Sequence, residues 1–149
     1  MKTLNEFKLT FQSQSSNEGL ARAAITSFMS PFDTSVSELV EVKTAVSEAV
    51  TNSIVHGYRE KNGRVELSAR ITQNSTLYIK IKDAGCGIAD IEKAMEPLYT
   101  TAPEEERAGL GFAVMESFMD KIKVTSREGK GTTVTMRRRI KRELEDERA

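Results

Sequence analysis

The sequence predicts an α/β protein built as a two-layer sandwich, a mixed and mostly antiparallel sheet covered on one face by helices. Three observations carry that expectation. Strand-like segments come in adjacent pairs joined by turn residues, with no crossover helix between them. A long amphipathic helix precedes the first such pair. The element order reads β-α-α-β-β-α-loop-α-β-β, without repeats or a linker, which suits helices laid over one sheet.

Taken in order, FKLTF places Phe7, Leu9 and Phe11 on alternate positions, the mark of a half-buried strand. QSQSSNEG is turn or cap material. GLARAAITSFM then brings Leu20, Ala24 and Phe28 to one helical stripe, with Arg22 off it. Pro31 breaks this helix, because the residue before a proline is pushed away from helical geometry. The next helix starts near Ser35, where Ser35 and Glu38 have the form of a capping box. It runs through Leu39, Val42, Val46, Val50 and Ile54 to Gly57, and its length makes it the expected buttress of the fold.

VELSARI and TLYIKIKD alternate apolar and polar residues around QNS, a hairpin signature. AGCG follows Asp83, and IADIEKAM reads as a short helix. PLYTTAPEEERAGLG is a long polar loop of a kind that is uncommon unless functional. GFAVMESFMDKI is helical, with Phe112, Met115 and Met119 on one face. KIKVTS and TTVTMRRRI are strands joined by REGKG. The expected domain spans residues 1–136, followed by a charged tail over 137–149.

Composition narrows the function classes. The chain has 149 residues, enough for one domain with a core of its own. Its 22 basic and 22 acidic residues cancel, which removes the electrostatic case for nucleic acid or an anionic membrane as the main partner. One cysteine, Cys86, excludes an internal disulfide framework and fits a reducing compartment. The opening MKTLNEFKLTF lacks the apolar core of a signal peptide, and no segment has the length of a membrane helix. The expectation is a soluble cytoplasmic protein. GxGxxG within a βαβ unit and GxxxxGK[ST] are both missing, so neither a dinucleotide fingerprint nor a P-loop is present.

The residues with chemical content fall in four places. Glu48 and Asn52 share one helical stripe, one turn apart, and His56 continues it. Asn offers a neutral oxygen to a hard cation such as Mg²⁺, and Glu can act as a general base. On spacing alone the pair reads equally as the polar flank of a packed helix, and His56 as a helix-end residue compensating the dipole. Asp83 closes a strand and either caps the next turn or faces a pocket. The glycines of DAGCG and AGLG sit at helix junctions, where a bare backbone can approach a ligand or simply turn. GTT precedes the last strand.

The ordered set ExxxN, DxGxG, a polar loop ending in GLG, and GTT resembles the ATP-binding fold of type II topoisomerases, heat-shock 90 chaperones, sensor histidine kinases and mismatch-repair ATPases, the Bergerat-type fold. VSEAVTNSIVHGY, DAGCGI, PLYTTAPEEERAGLGFAVMESFMD and GTTV are similar to the anti-sigma factor serine kinases of Gram-positive bacteria, nearest to those of spore formers, over about residues 5–136. The resemblance implies ATP and Mg²⁺ as cofactors. It implies Glu48 as general base, Asn52 as Mg²⁺ ligand, and Asp83, Gly85 and Gly87 at the adenine. Gly109, Leu110 and Gly111 would lie on the phosphate side, with Thr101 of the loop also in the nucleotide set. The adenine-side threonine is Thr132 or Thr133, with Thr133 favoured on strand alternation. Arg107 would meet the terminal phosphate, although it also follows three glutamates with which it could pair. Arg22 would contact a partner near the dimer interface, or be a solvated arginine. The implied partners are an RNA polymerase sigma factor, the sporulation sigma-F for this branch, and a small anti-anti-sigma protein carrying the acceptor serine. A homodimer is implied as well. A general-stress sigma-B type kinase and the catalytic domain of a sensor histidine kinase share enough of these motifs to stand as alternatives.

Overall fold

A computed structural model of the protein describes residues 2–59, 61–96 and 111–140. The elements are β1 (Thr3–Gln12), α1 (Asn17–Met29), α2 (Val36–Thr51), β2 (Arg64–Thr72), β3 (Thr76–Asp83), α3 (Ile91–Met95), α4 (Gly111–Phe118), β4 (Lys121–Arg127) and β5 (Gly131–Arg139). A π-helical turn over Asn52–Gly57 continues α2. The order matches the one expected, and the hairpin turn falls on Gln73, Asn74 and Ser75 as the turn chemistry predicts.

The strands form one sheet in the order β1-β2-β3-β5-β4. Every described pairing is antiparallel, so the mixed component of the expected sheet is not found among the described residues. Strand alternation sets the layers: Val65, Leu67, Ala69 and Ile71 of β2 and Leu77, Ile79 and Ile81 of β3 are buried beneath the helices. The other face carries Lys80, Lys82 and Arg70, the last with its guanidinium 4.2 Å from the centre of the Tyr78 ring.

The central layer contact is α2, which packs on α1, α4 and β3, as the buttress expectation requires. Its start is fixed by the capping box: Glu38 N–H donates to Ser35 Oγ at 3.1 Å, and Ser35 N–H donates to a Glu38 carboxylate oxygen at 3.5 Å. On α1 the buried stripe is Ala21, Ile25, Phe28 and Met29, one residue on from the predicted one. Leu20 is therefore exposed, while Phe28 stacks at 5.0 Å on Phe7 of β1.

The expected boundary at residue 136 falls too early. Arg138 on β5 donates to Glu41 at 2.7 Å and to the Phe118 carbonyl at 2.8 Å, and sits 3.8 Å from Glu38. Ile140 is buried beyond it. Arg138 thus ties the last strand to the capped start of α2. Replacing it with Ala removes the cation beside the half-buried Glu41 and the buried Glu38, which keeps its capping-box bond, and stability should fall by about 1–3 kcal/mol. Thermal melting of the Arg138→Ala variant checks this; an unchanged midpoint would show that water replaces the pair at no cost. Residues 141–149, the rest of the expected tail, lie outside the described residues.

Candidate functional site

The site begins where α2 widens. Tyr58 N–H reaches back to the Ser53 carbonyl at 3.0 Å, a five-residue step that opens the helix into its π-turn, a feature common at functional sites. Glu48 stands on the last turn of α2 before it, and Asn52 opens it. Glu48 is only 9% exposed, which rejects the solvated-edge reading. The start of α4 lies against the pair. A Cβ placed on Gly111 would stand 3.0 Å from Asn52 Nδ2 and 3.3 Å from Glu48 Oε2. A carboxylate, a carboxamide and the positive end of a helix dipole thus meet at one point, a setting suited to an anion held with its cation. One or two oxygen donors from the protein are the usual share for Mg²⁺, which keeps water and phosphate oxygens as its other ligands.

Asp83 defines the other end. It is 5% exposed at the close of β3, and its carboxylate is held on both oxygens. Ser53 Oγ donates to one at 2.8 Å and Gly85 N–H to the other at 2.9 Å. Gly57 faces it so closely that a Cβ there would stand 3.2 Å from the carboxylate. Asp83 is paired across the sheet with Thr132, and Lys82 with Thr133. Pairs share a face, so Thr132 joins Asp83 on the helix side and lines the cleft, while Thr133 points the other way with Lys82. Of the two candidate threonines, Thr132 lines the cleft and the favoured Thr133 does not. Its hydroxyl lies 2.8 Å from Ser126 Oγ, which also accepts from Ile88 N–H at 2.7 Å.

The DAGCG loop is strapped down by backbone. Cys86 N–H donates to the Gly57 carbonyl at 2.8 Å, and Gly129 N–H donates to the Cys86 carbonyl at 2.7 Å. Gly85 lies so near Gly57 that a Cβ would fall 2.2 Å from its carbonyl oxygen. Gly87 has φ +75° and would drive a Cβ to 2.2 Å from the Arg127 carbonyl. These two glycines therefore let the loop approach the protein's own backbone, the turn role that the sequence leaves open beside a ligand role, and Gly87 also lines the cleft.

Between the two ends lies a cleft of about 500 Å³, within the usual range for small-molecule sites. Its walls include Asn52, Asp83, Gly87, Gly111 and Thr132, and His56 and Cys86 also reach it. Glu48 borders a second groove on the opposite side of α2, together with Arg22, Ser47 and Thr51. Arg22 is about half exposed and its Nε donates to Glu18 at 2.9 Å. The structure thus brings Asn52, Asp83, Gly87 and Gly111 to one cleft, with Glu48 next to Asn52 at Gly111 but bordering the second groove, and Gly85 bonded to Asp83. Thr101, Arg107, Gly109 and Leu110 lie outside the described residues. Ser53 and Gly57 escaped sequence reading. Their signal was adjacency: Ser53 directly follows Asn52 on a buried helix face, and Gly57 ends the same helix.

Residues 11–138 match the family described as histidine kinase-like ATPase domain. The chain is 51% identical over 136 residues to an anti-sigma F factor of Clostridium acetobutylicum, covering 91% of this chain and 94% of that one. It is 47% identical to an anti-sigma F factor of Geobacillus kaustophilus, covering 91% and 93%. Among solved structures, the RsbU and RsbW domains of Rv1364c from Mycobacterium tuberculosis superpose with a TM-score of 0.67 at 17% identity, over 91% of this chain and 32% of that one. The catalytic domain of the histidine kinase ThkA superposes with a TM-score of 0.57 at 15% identity, over 94% and 97%. At such identities the two structures speak for the fold alone.

Proposed function

Because the chain belongs to the histidine kinase-like ATPase domain family, and within it to the anti-sigma F factors, we propose that it is an ATP- and Mg²⁺-dependent protein-serine kinase that also binds and inhibits an RNA polymerase sigma factor, the sporulation sigma-F. Its phosphate acceptor is a serine of the anti-anti-sigma protein that opposes it. The observation that carries this reading is one cleft with Asn52 at the start of α4 and a doubly held Asp83 at its far end, the buried Glu48 standing one helical turn from Asn52.

In this reading Asp83 accepts a hydrogen bond from the exocyclic amine of adenine, with Thr132 beside it. Asn52 offers its carboxamide oxygen to Mg²⁺, which supplies charge neutralisation at the phosphates. Gly109, Leu110 and Gly111 line the phosphate side, Thr101 belongs to the same set, and Arg107 meets the terminal phosphate. Glu48 takes the proton of the incoming serine hydroxyl as its oxygen bonds to the γ-phosphorus and ADP leaves. Because Glu48 borders the second groove, a protein substrate can reach it from the Arg22 side while the nucleotide fills the cleft. The protein acts as a cytoplasmic homodimer; no helix among the described residues is long and apolar enough to cross a membrane.

Incubation with γ-labelled ATP and the anti-anti-sigma protein tests this. The expected result is an acid-stable label on the second protein, with sigma-F retained by the tagged kinase. An acid-labile label on the chain itself would replace this reading with histidine kinase chemistry.

A further inference from the structure

Tyr58 lies at the end of the π-turn, 8% exposed, and touches neither the cleft nor the solvent to any extent. A buried tyrosine needs a partner for its hydroxyl, and this one has two. Its Oη donates to the Arg64 carbonyl at 2.6 Å and accepts from Ala84 N–H at 2.8 Å. Ala84 is the residue between Asp83 and Gly85, so the hydroxyl grips the loop at the point where the carboxylate leaves the sheet. Arg64 begins β2, which gives the hydroxyl a rigid anchor.

The surroundings hold the ring in one orientation. Gly63 leaves the space: a Cβ there would fall 2.1 Å from the Tyr58 ring. On the other side, Cys86 N–H bonds the Gly57 carbonyl at 2.8 Å, just before Tyr58 in the chain. The helix end that carries Asn52 and the segment that carries Asp83 are therefore joined through backbone, through the Cys86 thiol on the His56 carbonyl, through Ser53 Oγ on the Asp83 carboxylate, and through the Tyr58 hydroxyl on the Ala84 amide.

We propose that Tyr58 is a positioning residue for base selection, setting the height of the Asp83 carboxylate in the cleft through the Ala84 amide without touching the ligand. The inference rests on the reading of the cleft as an adenine nucleotide site. A tyrosine that only fills space would need its ring and not its hydroxyl. A positioning tyrosine needs the hydroxyl, because without it the Ala84 amide turns to water and Asp83 gains freedom.

Tyr58→Phe separates these roles, since it keeps the ring and removes the oxygen. Titration calorimetry with Mg-ADP and with Mg-GDP gives affinity and base preference, and hydrogen exchange reports the Ala84 amide. For the variant, Mg-ADP should bind about five- to tenfold more weakly, the yield of one or two lost hydrogen bonds. Mg-GDP binding should stay as in the wild type, so the preference for adenine narrows by the same factor, and the Ala84 amide should exchange faster. Gly63→Ala, which displaces the hydroxyl without removing it, should narrow the preference in the same direction. An unchanged preference in both variants overturns the proposal, even if the melting temperature drops. Failure of the wild-type protein to bind Mg-ADP overturns instead the reading of the cleft on which it rests.

Discussion

Replacing Glu48 with Gln should lower the rate of phosphate transfer to the partner serine by about 10²- to 10⁴-fold, the range that a general base supplies. Binding of Mg-ATP should stay within a few-fold of wild type. The two effects separate because the amide is the same size as the carboxylate, and the packing of Glu48 beneath Gly111 tolerates it. What the amide lacks is a site for the serine proton. Asn52, the proposed Mg²⁺ ligand, is left untouched by the change. Single-turnover transfer measured beside equilibrium nucleotide binding distinguishes the outcomes. A near-normal rate of transfer would remove Glu48 from the role of base and leave it as an orienting group at most.

Replacing Asp83 with Asn should weaken Mg-ADP binding by about 10- to 100-fold, the worth of a hydrogen bond to a buried charged acceptor. The carboxylate presents acceptors on both oxygens, and the protein uses each of them once, for Ser53 Oγ and Gly85 N–H. An asparagine has one oxygen. Its NH₂ must then face either the serine hydroxyl, which can turn to accept, or the Gly85 amide, which cannot. With the NH₂ toward the serine the Gly85 strap is kept, but one oxygen must then serve both that amide and the adenine amine of the proposed site; with the NH₂ toward Gly85 the strap itself is lost. Calorimetry checks the expectation, and wild-type affinity in the variant would show that Asp83 serves the turn and not the base.

How much of this was legible beforehand differed by element for physical reasons. Helix α2 was read with its capping box because Ser35 and Glu38 are a local chemical signal that needs no tertiary context. The β2–β3 hairpin was read because period-2 burial is written directly into TLYIKIKD. Thr133 was favoured over Thr132 because strand alternation says only that neighbours part ways, and the pairing with Asp83 says which of them goes inward. The stripe on α1 slipped by one residue because Leu20 looks like core, although it stands 45% exposed. The π-turn left no trace in composition. It follows from Gly57 and the DAGCG loop meeting in space, a contact between segments far apart in the chain. Arg138 was assigned to a tail because its charged neighbours masked a residue whose partners, Glu38 and Glu41, come from the first half of the chain.

That arginine gives α2 a property that the cleft alone does not reveal. The helix is clamped like a beam at both ends: Arg138 fixes its start, and the Gly57 carbonyl with the DAGCG loop fixes its finish. Glu48 and Asn52 sit between the clamps, toward the cleft end. Loosening the far clamp tilts the beam about its cleft end, and under the proposed kinase reading even a small tilt there carries Glu48 away from the serine hydroxyl. In that reading robustness of the fold and alignment of Glu48 are one mechanical property, and the last strand serves both.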